Sequence, residues 1–82
     1  MRAVLTEPFT ETLLESPPEI QQAFGKQLIN LLRNLQHPSL HAHKYPQLGP
    51  DVWQARVTQS WRFYFRIESD TYILLTIIPH PK

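Results

Sequence analysis

The chain has 82 residues, a formal net charge of +1 and no cysteine. Its length predicts one domain over residues 1–82, and the absence of cysteine excludes disulfides and thiolate metal sites. No apolar run approaches the roughly 20 residues that cross a bilayer, and the first residues lack the apolar core of a signal peptide. We therefore expect a soluble, cytoplasmic protein without membrane contact. The uneven distribution of its charges along the chain favours a local anion-binding site rather than a broad basic surface.

The start of the chain predicts a strand followed by a short helix. Residues 2–6 are typical of a strand, and Thr6 is placed to cap the segment after it. Apolar residues at helical spacing then predict about two turns of helix from Pro8 to Glu15.

A longer helix should follow, since Ser16 and Glu19 have the spacing of a capping box and Pro38 limits the helix to about Gln36. Gly25 costs this helix up to about 1 kcal/mol relative to alanine, which the close approach of another backbone would explain. The apolar stripe expected to pack on a sheet consists of Ile20, Phe24, Leu28, Leu31, Leu32 and Leu35. The polar residues expected to face solvent are Gln21, Gln22, Lys26, Gln27, Arg33 and Asn34.

Residues 37–50 are predicted to form a loop because they contain three prolines and show no periodicity. The loop holds three histidines, His37, His41 and His43. Their spacing lacks the further ligand at a fixed offset that a metal site needs, so we expect no metal or other cofactor. The loop leads directly into the next strand, which places His43 and Lys44 near the cationic face of the hairpin that follows.

Residues 52–67, VWQARVTQSWRFYFRI, predict a β-hairpin with one apolar and one cationic face, because side chains alternate along a strand. A three-residue loop from Thr58 to Ser60 places Arg56 opposite Arg62. The other expected pairs are Val57 with Trp61, Ala55 with Phe63, Gln54 with Tyr64 and Trp53 with Phe65.

Two opposed arginines weaken a strand pair by a few tenths of a kcal/mol to about 1 kcal/mol. Folding alone does not explain that cost. An anion such as an RNA phosphate would turn the repulsion into attraction. Alternatively, the arginines lie in solvent or pair with Glu68, Asp70 or the carboxylates of a partner. The residues by themselves leave both interpretations open.

The last apolar run, residues 72–78, predicts a buried central strand. Prolines flank His80 and stiffen its backbone, so its imidazole should project from the end of the sheet. The order β-α-α-β-β-β predicts an α+β fold with an antiparallel-rich twisted sheet of about four strands and both helices on one face. The cationic side of the hairpin is then the face that the helices leave bare.

Several motifs together resemble the RelE/ParE superfamily of toxins from bacterial type II toxin–antitoxin systems. They are the helix ending in HPS, the loop leading to WQARV, the strand WRFYFRI and a last strand that closes in a histidine. The resemblance spans nearly the whole chain and implies a single RelE-like domain. It implies a toxin that cuts messenger RNA in the ribosomal A site or, in the ParE branch, an inhibitor of DNA gyrase.

In the RNA-cutting branch, basic residues of the sheet grip the scissile phosphate while the ribose 2′-hydroxyl attacks it. The resemblance assigns catalytic roles to Arg56, Arg62 and His80. The side chains expected to contact RNA beside them are Lys44, Gln54, Tyr64 and Arg66, with Tyr64 stacking on a base or donating to the phosphate. The partners implied are a cognate antitoxin, the ribosome and messenger RNA, while homo-oligomer formation is left open.

Two features depart from the family pattern. Members usually continue past the last histidine with a basic residue and a tyrosine, whereas this chain stops at Pro81 and Lys82, and Gln54 stands where lysine is common. Three hypotheses follow. The protein is a ribosome-dependent endonuclease, a gyrase inhibitor that cuts nothing, or a catalytically weakened toxin that acts only as an antitoxin-binding module.

Overall fold

The protein forms a five-stranded mixed sheet with two helices on one face. The computed structural model describes residues 1–80. Its strands are β1 (Arg2–Leu5), β2 (His43–Lys44), β3 (Val52–Arg56), β4 (Trp61–Glu68) and β5 (Thr71–Pro79). They lie in the order β1-β5-β4-β3-β2. β1 runs parallel to β5, and the other neighbouring strands are antiparallel. The predicted α+β class is confirmed. β5, predicted as a buried central strand, is an interior strand, and β4 is the middle strand of the five.

The first helix, α1, spans Glu7–Glu15 and is tied to the sheet by its cap. As predicted, the Thr6 hydroxyl accepts a hydrogen bond from the Phe9 N–H, at 3.3 Å. The same hydroxyl donates to the Leu74 carbonyl oxygen at 2.7 Å. One side chain therefore satisfies a helix end and fixes α1 against β5.

The second helix, α2, spans Pro18–Arg33 and begins without the predicted capping box. Ser16 donates instead to the Thr12 carbonyl oxygen, one turn back in α1, at 2.7 Å. Pro17 takes the N-cap position and has no side-chain donor or acceptor to offer. From the other side of the short break between the helices, Gln21 Nε2 of α2 donates to the Ser16 carbonyl oxygen at 3.0 Å, so side chains of both helices close it.

The core lies between the two helices and the apolar face of the hairpin. The Phe24 ring centroid lies 5.0 Å from that of Phe9 and 5.3 Å from that of Phe63. The largest side chains with almost no exposure are Phe9, Leu31, Leu40, Phe63, Phe65, Leu74 and Ile77. Burial of each such side chain stabilises the fold by about 1.5–3 kcal/mol, so this layer determines which face of the sheet points away from the helices.

Two expectations about α2 are wrong, and an explanation left open for Gly25 is not supported. Gln27, predicted to face solvent, is only 8% exposed, whereas Leu32, predicted to pack on the sheet, is 36% exposed. A Cβ added at Gly25 would meet nothing within 4 Å, so no backbone approaches it. The stripe residues that are buried as predicted include Ile20, Phe24 and Leu31.

The hairpin of β3 and β4 has the predicted register, with Arg56 opposite Arg62 and Gln54 opposite Tyr64. The sheet has five strands rather than four because residues 43–44, predicted as loop, pair with β3. Two paired residues are too few to show the alternation by which a strand is recognised in sequence.

Over residues 1–80, neither helix is long and apolar enough to span a membrane.

Candidate functional site

The cationic pair Arg56 and Arg62 lies on the sheet face opposite the helices. Phe63 and Phe65 point into the core, so Arg62, which alternates with them along β4, emerges on the other face. Its register partner is Arg56, at a Cα separation of about 5 Å. Burial, and then the nearby Arg56, lower the pKa of Arg62. Both guanidinium groups stay charged at neutral pH, so the pair is a site of cationic repulsion.

The Arg62 side chain folds over its own hairpin loop. Its Nη1 donates to the carbonyl oxygens of Thr58 at 2.8 Å, Gln59 at 2.9 Å and Trp61 at 3.0 Å. Only 9% of the residue is exposed. Arg62 therefore holds the β3–β4 loop in shape with one end of its guanidinium group, an internal role that its sequence position did not reveal.

Arg56 has fewer internal partners. Its side chain is partly buried, and its Nε is shielded from solvent without a hydrogen-bond partner. No carboxylate among residues 1–80 lies within 4.0 Å of Arg56 or Arg62. A buried donor left unpaired is unfavourable by about 1–3 kcal/mol, so the position of the Arg56 side chain has an energetic cost.

The backbone of Arg56 is anchored from the helix layer by Gln27. Its Nε2 donates to the Arg56 carbonyl oxygen at 2.8 Å and to the Ser39 carbonyl oxygen at 3.1 Å. Its Oε1 accepts from Asn30 Nδ2 at 2.8 Å and from Ser39 Oγ at 3.0 Å. This amide fixes the end of β3, and thus the place from which the Arg56 side chain departs.

His80 lies beside the loop that Arg62 holds. Its backbone N–H donates to the Ser60 carbonyl oxygen at 2.6 Å. Ile78 pairs with Arg62, so the alternation of side chains places His80 on the same face two residues later. His80 is exposed, and the strand register places the backbones of Arg56, Arg62 and His80 near one another at the hairpin-loop end of the helix-free face.

Gln54 and Tyr64, both predicted to contact RNA, are buried instead, at 4% and 2% exposure. Gln54 Nε2 donates to the Tyr64 hydroxyl oxygen at 2.9 Å. The Tyr45 ring, from the loop after β2, covers Tyr64 with a centroid distance of 5.3 Å. The expectation that Tyr64 offers a free ring for base stacking is therefore wrong for this structure, because the loop already occupies that surface.

The comparison with solved structures identifies the fold. The chain is similar to a YoeB/ParE toxin from Agrobacterium tumefaciens, at 14% identity and a TM-score of 0.79 over 99% of this chain and 100% of that one. It is also similar to the RelBE2 toxin–antitoxin complex from Mycobacterium tuberculosis, at 20% identity and a TM-score of 0.73 over 98% and 96%. The chain has the RelE/ParE toxin fold. A third similar structure of this fold is the archaeal RelE–RelB complex from Pyrococcus horikoshii OT3, at 15% identity and a TM-score of 0.72 over 99% and 96%. No family model matches the sequence, and no curated protein matches it.

Within this RelE/ParE fold, Lys44 and Arg66 do not join the arginine pair. Lys44 pairs with Trp53 on the helix-side face, and its Nζ lies 5.4 Å from the Trp53 ring centroid. Arg66 shares the face of Arg62 but is four residues along β4, a distance of about 13 Å. It forms an ion pair of 3.0 Å with Glu68. Pairing with Glu68 is one of the alternatives that the sequence left open for the arginines of the hairpin.

The histidine-rich loop of this RelE/ParE fold holds no evident metal site. Over residues 1–80, no group of three or more histidine or acidic side chains is arranged to hold a metal ion. His37 accepts from the Ser39 N–H at 3.2 Å and so shapes the loop. His43, by contrast, pairs with Gln54 in the sheet and lies on the face of the arginine pair, as predicted.

Proposed function

We propose that the protein is the toxin of a type II toxin–antitoxin pair and cleaves messenger RNA on the ribosome. The observation that carries the proposal is the backbone register, which brings Arg56, Arg62 and His80 to the same end of the helix-free face. Two cations with no carboxylate partner among residues 1–80 favour a phosphate between them. The exposed imidazole of His80 adds a group that can donate or accept a proton.

The chemistry is an internal transesterification of RNA. The 2′-oxygen attacks the phosphorus and the bond to the 5′-oxygen breaks, which leaves a 2′,3′-cyclic phosphate and a 5′-hydroxyl. Arg56, which has no carboxylate partner among residues 1–80, donates to a nonbridging oxygen and stabilises the charge that grows there. Arg62 adds its charge and holds the loop, while His80 gives a proton to the departing 5′-oxygen.

The proposal includes an antitoxin with an acidic segment. The RelBE2 and RelE–RelB structures similar to this chain are complexes of a toxin with an antitoxin. The unpaired charges of Arg56 and Arg62 would attract carboxylates as well as phosphate. An antitoxin that covers this end of the sheet would therefore suppress cleavage by occupying the same cations.

The proposal is tested by inducible expression in bacteria, with growth recorded and a translated message mapped by primer extension. Wild-type protein should arrest growth and produce cuts at codon positions. Arg56→Gln should abolish both effects, whereas Arg33→Gln, an exposed arginine on α2, should leave them intact. Growth arrest with a DNA-damage response and uncut transcripts would contradict the proposal and favour gyrase inhibition. Harmless expression of the wild type would favour an antitoxin-binding module.

A further inference from the structure

His43 lies on the same sheet face as the arginine pair, at its β2 side. It is the register partner of Gln54 in β3, and Arg56 follows Gln54 by two residues on that face. Diagonal neighbours of this kind lie about 7–8 Å apart between Cα atoms, within reach of an imidazole and a guanidinium group that bind one phosphodiester. The His43 side chain is exposed, so a substrate can touch it.

The His43 ring is held in one tautomer by the backbone. Its Nδ1 lies 2.8 Å from the His41 carbonyl oxygen. A carbonyl oxygen only accepts, so the hydrogen of the neutral ring is on Nδ1 and the free lone pair is on Nε2.

His43 and His80 flank the arginine pair from opposite sides. Their strands, β2 and β5, are separated by β3 and β4. Three strand spacings of about 4.8 Å across the sheet and four residues along it separate the two backbones by about 19 Å, with His43 diagonal to Arg56 and His80 diagonal to Arg62. A phosphate on Arg56 would then have one imidazole on each side, as the two proton transfers of the reaction require.

We propose that His43 is the general base of the cleavage reaction, which rests on the proposed function. His43 Nε2 takes the proton of the 2′-hydroxyl as the 2′-oxygen forms its bond to phosphorus. The bond between phosphorus and the 5′-oxygen breaks, and that oxygen takes its proton from the protonated His80. The products are a 2′,3′-cyclic phosphate and a 5′-hydroxyl, and each proton has a named donor and acceptor.

The test uses ribosomes programmed with a message whose scissile 5′-oxygen is replaced by sulfur. A thiolate leaves without a proton, so the sulfur substrate makes the general acid unnecessary but not the general base. With the normal message, both His43→Asn and His80→Asn should slow single-turnover cleavage by about 10²–10⁴-fold. With the sulfur substrate, His80→Asn should recover to near the wild-type rate and His43→Asn should remain slow.

The matched control is His41→Asn, which keeps the backbone carbonyl that holds His43 and suits its left-handed φ of 47°, a conformation that asparagine tolerates. It should cleave within about 2-fold of the wild type, since surface substitutions of this kind change little. Nitrogen NMR of the free protein should show the hydrogen of neutral His43 on Nδ1. The proposal is overturned if His43→Asn cleaves normally while the wild type is active, if sulfur rescues it, or if the hydrogen is on Nε2. A wild type that cleaves nothing would overturn it together with the proposed function.

Discussion

Gln27 in α2 and Arg56 in β3 are joined by a hydrogen bond of 2.8 Å from the side-chain amide to the main-chain carbonyl oxygen. This bond couples the helix layer to the strand end that carries the cationic pair. Because Gln27 also donates to the Ser39 carbonyl oxygen at 3.1 Å, one buried amide positions two separate segments of backbone. The site on one face of the sheet is therefore supported from the other face.

Gln27→Glu should destabilise the protein while hardly changing the shape of the side chain. A carboxylate cannot donate, so the carbonyl oxygens of Arg56 and Ser39 would lose their partner and face a negative charge. We expect the free energy of unfolding to fall by about 1–3 kcal/mol in urea denaturation at neutral pH. Gln22→Glu makes the same change at an exposed position of the same helix. It should change the free energy of unfolding by no more than about 0.5 kcal/mol. Equal losses in the two variants would refute the anchoring role of Gln27.

Arg62→Met should loosen the hairpin loop. The variant keeps much of the side-chain length but removes the three hydrogen bonds of Nη1. Hydrogen bonds from a charged donor contribute about 1.5–3 kcal/mol, so we expect a loss of stability in that range. Hydrogen exchange at the His80 amide should also accelerate, because its acceptor belongs to the loop.

The control for Arg62→Met is Arg66→Met, on the same strand and the same face. Arg66 contributes one exposed ion pair with Glu68, which stabilises by about 0–1 kcal/mol. Its replacement should leave the exchange rate of the His80 amide unchanged. If Arg62→Met has no larger effect than Arg66→Met on stability or exchange, the hydrogen bonds from Arg62 do not hold the loop in solution.

Arg56→Gln should separate stability from activity. Removal of one of two opposed cations relieves a repulsion of a few tenths of a kcal/mol to about 1 kcal/mol, so the melting temperature should stay constant or rise. Message cleavage should nevertheless fall by about 10²–10³-fold, the usual effect of losing one donor to a developing oxyanion. Thermal denaturation and single-turnover cleavage measure the two effects. A variant that loses activity only in proportion to its unfolded fraction would argue for a structural role of Arg56.

Tyr72 should make the protein less stable in alkaline solution. Burial raises the pKa of Tyr72, so the folded chain retains the phenolic proton at pH values where the unfolded chain has lost it. Stability from this group is therefore complete below the unfolded pKa of about 10 and decreases as pH rises above it. Urea denaturation between pH 8 and 11, chosen to bracket that pKa of about 10, should show a shallower decrease for Tyr72→Phe than for the wild type. Parallel curves would show that Tyr72 ionises equally in both states.

The hairpin was predictable because its pattern is local and repeated. Alternation along β3 and β4, with a loop of three residues, was enough to place Arg56 opposite Arg62. The cap of α1 at Thr6 was predictable for the same reason, since one side chain and the N–H three residues later define it. In both cases the residues that determine the structure are close together in the sequence.

The residues that anchor and cover the site from distant segments, Gln27 and Tyr45, were not predictable in this way. On a helical wheel Gln27 falls on the solvent-facing side of α2. It is buried because the loop that carries Ser39 passes over it and accepts its hydrogen bond. Tyr64 has the alternation of an exposed face, but Tyr45 covers it from a loop whose course no periodicity reveals. Contacts between distant segments decide both cases, and a single sequence does not encode them in a local pattern.

If the protein cleaves as proposed, the 2′-hydroxyl of a ribosome-bound message attacks a phosphate held by the arginine pair, and a message without that hydroxyl should resist cleavage. Purified protein is mixed with ribosomes programmed with either an all-ribose message or the same message carrying a single 2′-deoxynucleotide on the 5′ side of the mapped cut. We expect a 2′,3′-cyclic phosphate end from the first message and no cut at that position in the second. Equal cutting of both messages, or ends without a cyclic phosphate, would contradict it.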